Sequence, residues 1–125
     1  MNKFIISGYV AKNPDLKCTT SGTNLTSICI ADNYSYLKDG QKVEKTNFFY
    51  FSAYGDIAKN VVKHCGKGSY IIIEARLEND NYEKDGKKIY TNQIVAVKIE
   101  FVSLKAPNEQ KFEYYPDRDL DQTPE

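Results

Sequence analysis

The seven consecutive residues that begin at Phe48 carry five aromatic rings. If this segment is a β-strand, alternation puts Phe48, Tyr50 and Tyr54 on one face, and Phe49 and Phe51 on the other. A small domain needs only one apolar face for its core, so the other set of rings is predicted to be exposed. Exposed flat rings beside lysines are what a surface needs in order to stack unpaired nucleobases.

The chain carries no arrangement of side chains that is typical of catalysis. His64 is the single histidine, and no Ser, Cys or carboxylate near it suggests a nucleophile pair. There is no HExxH motif and no CxxC pair, and the Gly66–Ser69 segment lacks the first glycine of P-loop spacing, because Val61 stands there. We therefore predict a binding protein with no enzymatic activity, no metal and no cofactor.

The cysteines indicate a reducing compartment. Cys18, Cys29 and Cys65 are odd in number, and no signal peptide precedes them, so we expect free thiols in a cytoplasmic protein. Cys29 stands in an apolar run and is predicted to belong to the core. No apolar segment is long enough to span a membrane.

The charge is divided unevenly along the 125 residues, although the net charge is zero. Residues 1–106 hold 15 Lys and Arg and 11 Asp and Glu, a net charge of +4. Residues 107–125 hold 2 basic and 6 acidic residues, a net charge of −4. A basic body with an acidic tail is typical of a polyanion-binding domain with a self-repelling appendage. We predict one domain over residues 1–105 and a flexible acidic tail over residues 106–125.

Turn residues divide the body into five predicted strands and one helix. The Asp39-Gly40 and Asp85-Gly86 pairs are typical of tight hairpins, and Gly8 indicates a bulge or a close approach within the first strand. Asp56 is expected to cap the helix, with Gly66 at its exit. The predicted strands are Lys3–Val10, Leu25–Ala31, Val43–Tyr54, Tyr70–Leu77 and Ile89–Leu104, and the helix runs to His64.

Three strands, a short helix and two further strands are the element order of the OB-fold, a partly open five-stranded β-barrel. That barrel offers one curved face to oligonucleotides or oligosaccharides. A plain β-sandwich fits less well, because it has no place for a helix between the third and fourth strands.

The ordered motifs resemble those of the bacterial and phage single-stranded DNA-binding proteins over residues 1–104. Each motif is weak alone, but their order and spacing together are specific. The matching segments are Asn2–Gly8, Lys12–Lys17, Ser21–Thr23, Thr46–Gly55 and Lys67–Leu77.

The resemblance implies that aromatic residues on strands two and three and at the hairpin between strands four and five stack on bases. The corresponding residues here are Tyr36, Phe48, Tyr54 and Tyr82, and Tyr34 is an alternative to Tyr36. Tyr50 stands where the family often has a basic residue, and its phenol can stack or bind a phosphate without adding charge.

Lysines would contact the phosphates, and about half of the candidates are expected to matter. In place of the family's basic residues at the end of strand four, this chain has Glu78 and Asp80, which would repel phosphate. The phosphate-binding candidates are Lys3, Lys12, Lys17, Lys42, Lys45, Lys84, Lys87 and Lys88.

The resemblance further implies a cytoplasmic, in bacteria nucleoid-associated, homotetramer made of two dimers that pair through their first strands. Such a protein protects single-stranded DNA during replication, recombination and repair. The family's tail typically ends in a Phe that docks on partner enzymes, whereas this tail ends Pro124-Glu125, which weakens that expectation. The alternative is an OB-fold assembly module that resembles a primosome protein. RNA also remains open as a ligand, because stacking does not distinguish the two sugars.

Overall fold

The computed structural model describes residues 1–107. Within that range the chain forms eight strands and one helix, and the predicted tail lies outside the described residues from position 108 onward. The elements are β1 Phe4–Val10, β2 Lys17–Cys18, β3 Asn24–Lys38, β4 Gln41–Tyr54, α1 Gly55–His64, β5 Tyr70–Asn79, β6 Tyr82–Lys84, β7 Lys87–Ile89 and β8 Asn92–Ser103.

Five of these strands close into a barrel. Their order is β1-β5-β8-β4-β3, and an additional pairing of β1 with β3, through Tyr9↔Ala31 and Val10↔Ile30, completes the ring. The pairing of β4 with β8 is parallel and the other pairings of the barrel are antiparallel. The helix α1 lies between β4 and β5 in the chain, which confirms the predicted OB-fold.

The interior of the barrel is filled by one face of each strand. Phe51, Ile28 and Ile73 are fully buried, and the ring of Phe4 meets those of Phe51 and Phe49 edge to face at 5.7 and 5.9 Å between centroids. The predicted division of the β4 rings is therefore confirmed: Phe49 and Phe51 point inward.

Gly8 is buried where β1 crosses β3. A Cβ atom at this position would lie 2.6 Å from the carbonyl oxygen of Ala31 and 2.6 Å from Cγ2 of Ile30. The β1–β5 register runs without interruption from Phe4 to Tyr9, so Gly8 marks a close approach of two strands and not a bulge.

Both predicted Asp-Gly hairpins are present. Asp39 and Gly40 have φ of 53° and 77°, and Asp85 and Gly86 have φ of 55° and 77°, as a two-residue turn with positive φ at both central positions requires. The first turn joins β3 to β4 and the second joins β6 to β7.

Two element boundaries differ most from the prediction. The second strand of the barrel, β3, continues to Lys38 and does not end at Ala31, because β4 pairs with it over its whole length and satisfies the backbone of its polar half. Ile89 belongs to the separate β6–β7 hairpin, so the last strand begins only at Asn92.

The caps of the helix also differ from the prediction. Its N-cap is Tyr54, without a side-chain hydrogen bond, and Asp56 lies inside the first turn, where a carboxylate complements the helix dipole. Cys65 is the C-cap. Gly66 serves instead as a close contact, since a Cβ there would lie 2.8 Å from the carbonyl oxygen of Lys105 and 2.7 Å from Cα of Pro107.

Candidate nucleic-acid interface

The outward face of β4 displays three rings, which we call the aromatic row: Phe48, Tyr50 and Tyr54. Their exposed fractions are 40%, 54% and 39%, whereas Phe51 on the opposite face is 0% exposed. Alternate residues of a strand lie about 7 Å apart, so the row extends over about 20 Å along β4. The predicted exposure of these rings is confirmed, and it makes the row accessible to a planar ligand.

Small residues of β3 lie beside two of the rings. Ala31 pairs with Phe48, and Cys29 pairs with Tyr50. Cys29 is 3% exposed and is therefore buried, as predicted, although it pairs with Tyr50 on the outward face of the sheet and does not belong to the main hydrophobic core cluster.

Tyr54 is held at the seam between β4 and β8. Its hydroxyl group donates to Oε1 of Gln93 at 3.1 Å. Gln93 is in register with Glu78 of β5, and Glu78 forms an ion pair of 3.4 Å with Arg76. The predicted acidic residue Glu78 is therefore near one end of the row with its charge offset by a neighbouring guanidinium group.

A pocket of about 430 Å³ opens at the other end of the row. The Nζ atom of Lys12 lies 5.0 Å from the centroid of the Tyr50 ring, a cation–π distance. Oδ1 of Asn13 accepts a hydrogen bond of 2.7 Å from the backbone N–H of Lys67 and joins the two loops that border the pocket. We call it the groove pocket; its lining is Ala11, Lys12, Asn13, Cys29, Phe48, Tyr50 and Lys67.

Three of the predicted phosphate-binding lysines share the outward face of this sheet. Lys12 covers Tyr50. Lys17 of β2 pairs with Leu25, which in turn pairs with Tyr54, so these three side chains form a line across the strands. Lys42 lies on the same face of β4 as the aromatic row, near the tip of the β3–β4 hairpin.

Three other lysines are placed apart from the row. Lys3 forms an ion pair of 3.3 Å with Glu74, on the β1–β5 side of the barrel. Lys45 pairs with Tyr34 on the opposite face of the β3–β4 hairpin. Lys88 pairs with Glu83 on one face of the β6–β7 hairpin.

Tyr34 and Tyr36 do not join the aromatic row. They pair with Lys45 and Val43, which lie on the same face of β4 as Phe49 and Phe51. Their rings lie 6.2 Å apart and are 41% and 44% exposed. The two tyrosines thus form a separate pair of rings on the other face of the extended hairpin, and their predicted role in stacking stays a prediction.

The other face of the β6–β7 hairpin combines an aromatic ring with two cations. Tyr82, 52% exposed, pairs with Ile89, and Lys84 pairs with Lys87 beside the turn. Like charges directly opposite each other destabilise a strand pair. An anion between Lys84 and Lys87 would relieve this repulsion, so the hairpin has the composition of a phosphate contact.

Sequence reasoning missed Lys67 and Asn13, which border the groove pocket. Both lie in loops that only the folded barrel brings beside β4. The sequence predicts a glycine-rich turn at Gly66–Ser69, but the residues of the turn do not indicate which strand it lies beside.

The described residues 1–107 contain no site that is typical of an enzyme. His64 is exposed at the end of α1, with its ring 6.4 Å from that of Phe101. Burial raises the pKa of the Cys65 thiol to about 11, so this group is protonated and unreactive at neutral pH. No three His, Cys, Asp or Glu side chains in this range converge as metal ligands. No helix in the same range has the length and apolar composition needed to cross a membrane.

Comparison with known proteins gives one consistent result. The model of the single-strand binding protein family matches residues 1–102. A single-stranded DNA-binding protein of Staphylococcus aureus is 31% identical over 116 residues, which cover 92% of this chain and 74% of that relative.

Solved structures agree with the sequence comparison. The single-stranded DNA-binding protein from Thermus aquaticus superposes with a TM-score of 0.71 at 26% identity, over 82% of this chain and 50% of that one, so this chain matches half of its length. The Plasmodium falciparum protein, solved in complex with single-stranded DNA, has a TM-score of 0.67 at 19% identity over 84% of this chain and 96% of that one. An identity of 19% supports a common fold and no more.

Proposed function

This chain belongs to the single-strand binding protein family, and on that basis we propose that it binds single-stranded DNA with little sequence preference. It acts in the cytoplasm and catalyses no reaction. It protects the bound strand during replication, recombination and repair. The observation that carries this proposal is the aromatic row, with the ammonium group of Lys12 above its central ring.

The row suits unpaired bases for a physical reason. Every nucleobase has a π-face, and one base–aromatic stack contributes about 1–3 kcal/mol by alanine substitution. In a duplex both faces of each base are covered by neighbouring pairs, so flat rings on a sheet have nothing to stack on. Lys12, Lys17 and Lys42 lie on the same side as the rings and supply charge for the phosphates.

We propose that Tyr82 with Lys84 and Lys87 adds a second contact on the β6–β7 hairpin, and that Tyr34 and Tyr36 add a third. All three rings are exposed, so bases of the strand beyond the row can stack on them. Lys3, Lys45 and Lys88 contribute less to the first contact, because Lys3 pairs with Glu74, Lys45 lies on the opposite face of the β3–β4 hairpin and Lys88 belongs to the separate β6–β7 hairpin.

The ligand affinity and its salt dependence test the proposed function. We expect an oligothymidylate to quench tyrosine fluorescence on binding, and a duplex of equal length to bind far more weakly. The logarithm of the binding constant should fall with the logarithm of the salt concentration, with a slope of about −0.7 for each neutralised phosphate. The double variant Lys12→Gln/Lys17→Gln should make the slope shallower by about 1.4 if each lysine neutralises one phosphate.

The matched control is Lys3→Gln/Lys88→Gln, which removes two lysines that lie off the outward face of β4 and should leave the slope nearly unchanged. Equal affinity for duplex and single strand would contradict the proposed function. Equal slopes for the two double variants would contradict the assignment of Lys12 and Lys17.

We further propose that β1 joins two copies of the chain, as the first step towards a tetramer made of two dimers. β1 pairs with β5 over Phe4–Tyr9 but with β3 only at Tyr9 and Val10, so the described residues 1–107 provide no second partner strand for the rest of β1. Ile5 is 63% exposed on the outward face of this strand. An unpaired strand edge beside an apolar side chain is a template for another strand.

A charge in that surface tests the assembly. Ile5→Glu should shift the mass measured by light scattering from tetramer to a smaller species, because each two-fold contact would bury two new carboxylates. Leu37→Glu is the matched control: Leu37 is 76% exposed near the tip of the β3–β4 hairpin, and its replacement should leave the mass unchanged. A native mass for Ile5→Glu would exclude β1 as the interface.

A further inference from the structure

The groove pocket differs from the rest of the aromatic row, because it has a floor as well as a wall. Phe48 and Tyr50 form the wall, and the small side chains of Ala11 and Cys29 form the floor. Its volume of about 430 Å³ lies within the range of about 300–1,000 Å³ that is typical of small-ligand pockets. A base can therefore enter this site, whereas at Tyr54 it can only lie on the ring.

Three polar side chains of the pocket lining, those of Lys12, Asn13 and Lys67, present hydrogen-bond donors. Lys12 and Lys67 end in ammonium groups, which donate and cannot accept. Asn13 has an acceptor oxygen with two lone pairs and an NH₂ donor group, and the backbone N–H of Lys67 takes one of these lone pairs at 2.7 Å. This hydrogen bond fixes the orientation of the carboxamide and leaves its NH₂ group as a donor for a ligand.

We infer that the groove pocket is a subsite for one nucleotide whose base carries a keto group, thymine or guanine. O4 of thymine and O6 of guanine are acceptors, whereas cytosine and adenine present an amino group at the equivalent position. A keto base places an acceptor against the Asn13 NH₂ group, and an amino base places two donors against each other. The ammonium groups of Lys12 and Lys67 bind the phosphate of the same nucleotide.

This inference rests on the proposed function and deepens it. A strand that crosses the aromatic row has most of its bases on open rings, which accept every base. Only the nucleotide in the groove pocket is selected, so the preference of the whole protein stays small. Lys12 lies over Tyr50 in the free protein, and an incoming base would take its place on the ring while the ammonium group moves to the phosphate.

Mononucleotides test the subsite directly, because they cannot slide along the row as a longer strand does. Titration of the ¹⁵N-labelled full chain with dTMP should shift the amide signals of Ala11, Lys12, Asn13, Cys29 and Lys67. The dissociation constant should be lower for dTMP than for dCMP by about fivefold or more, the low end of what a hydrogen-bonded base edge provides. These two ligands have the same ring size and the same phosphate but differ also in the 5-methyl group of thymine, so dUMP, which has the keto group without the methyl group, should keep the advantage over dCMP.

Two variants sharpen the test. Asn13→Asp keeps an oxygen for the Lys67 N–H but replaces the NH₂ group with a second acceptor, so the ratio of the two dissociation constants should fall to one or reverse in favour of dCMP. Repulsion between the new carboxylate and the phosphate weakens both ligands equally and cancels in the ratio. Ala11→Leu fills the floor and should abolish the shifts, while the amide signals of β5 keep their positions.

The outcomes separate the subsite from the proposed function. Equal constants for dTMP and dCMP, or the same shifts with inorganic phosphate alone, would overturn the subsite even if oligothymidylate binds tightly. An unchanged ratio in Asn13→Asp would overturn the role of the carboxamide. Failure of oligothymidylate to bind would overturn the proposed function itself.

Discussion

Replacement of Phe48 and Tyr54 together with Ala should reduce the affinity for oligothymidylate by a factor between about 30 and about 10⁴. Each stack contributes about 1–3 kcal/mol, and 1.4 kcal/mol corresponds to a factor of ten. Both rings are partly exposed on the outward face, so their removal opens no cavity in the barrel. The titration of each variant with oligothymidylate at one salt concentration measures the effect.

The control keeps both rings and exchanges their hydroxyl groups. Phe48→Tyr/Tyr54→Phe should bind nearly as tightly as the native protein, because stacking depends on the ring. It removes the hydrogen bond from Tyr54 to Gln93, which is exposed and contributes little. Native affinity in the double Ala variant would show that the aromatic row is not the binding surface, and the assembly module would become the better interpretation.

Phe51→Ala should have the opposite effect, a large loss of stability. Phe51 is fully buried and packs edge to face against Phe4, and truncation of a buried Phe typically costs about 3–5 kcal/mol through lost burial and the remaining cavity. Single domains have about 5–15 kcal/mol in total, so the variant should be near the limit of folding at 25 °C. The free energy of unfolding in urea measures this cost.

Phe48→Ala is the matched comparison on the same strand. It should change the free energy of unfolding by about 0.5 kcal/mol or less, as is usual for exposed positions. Both variants must be compared at one protein concentration, because assembly adds to the apparent stability. Similar costs for Phe48→Ala and Phe51→Ala would contradict the division of β4 into a core face and a ligand face.

The features of the barrel that depend on neighbouring residues in the sequence could be predicted. Alternation alone placed Phe49 and Phe51 inside and Phe48 outside, and the Asp-Gly pairs at Asp39 and Asp85 located two hairpins. The positions of the helix and of five strands gave the OB-fold by their order.

The errors arose where distant segments decide the structure. The polar second half of β3 forms a strand only because β4 pairs with it, and the groove pocket beside Tyr50 is lined in part by loop residues from elsewhere in the chain. Lys67 and Asn13 meet beside the row through a hydrogen bond that spans 54 positions. No pattern within either segment shows this contact. The face on which Tyr36 lies could be predicted only once the length of β3 was known.

Because β4 has aromatic rings on both faces, two different alignments of β4 against β3 would each bury aromatic rings. Displacement of β4 by one residue against β3 would turn Phe48 and Tyr50 inward and Phe49 and Phe51 outward. In most strands such an error would expose apolar residues and bury polar ones, but here rings would replace rings. Hydrophobicity therefore discriminates weakly between the two alignments. The two-residue turn at Asp39 and Gly40, which closes the hairpin at Lys38↔Gln41, selects the correct one and with it the set of rings that faces the ligand.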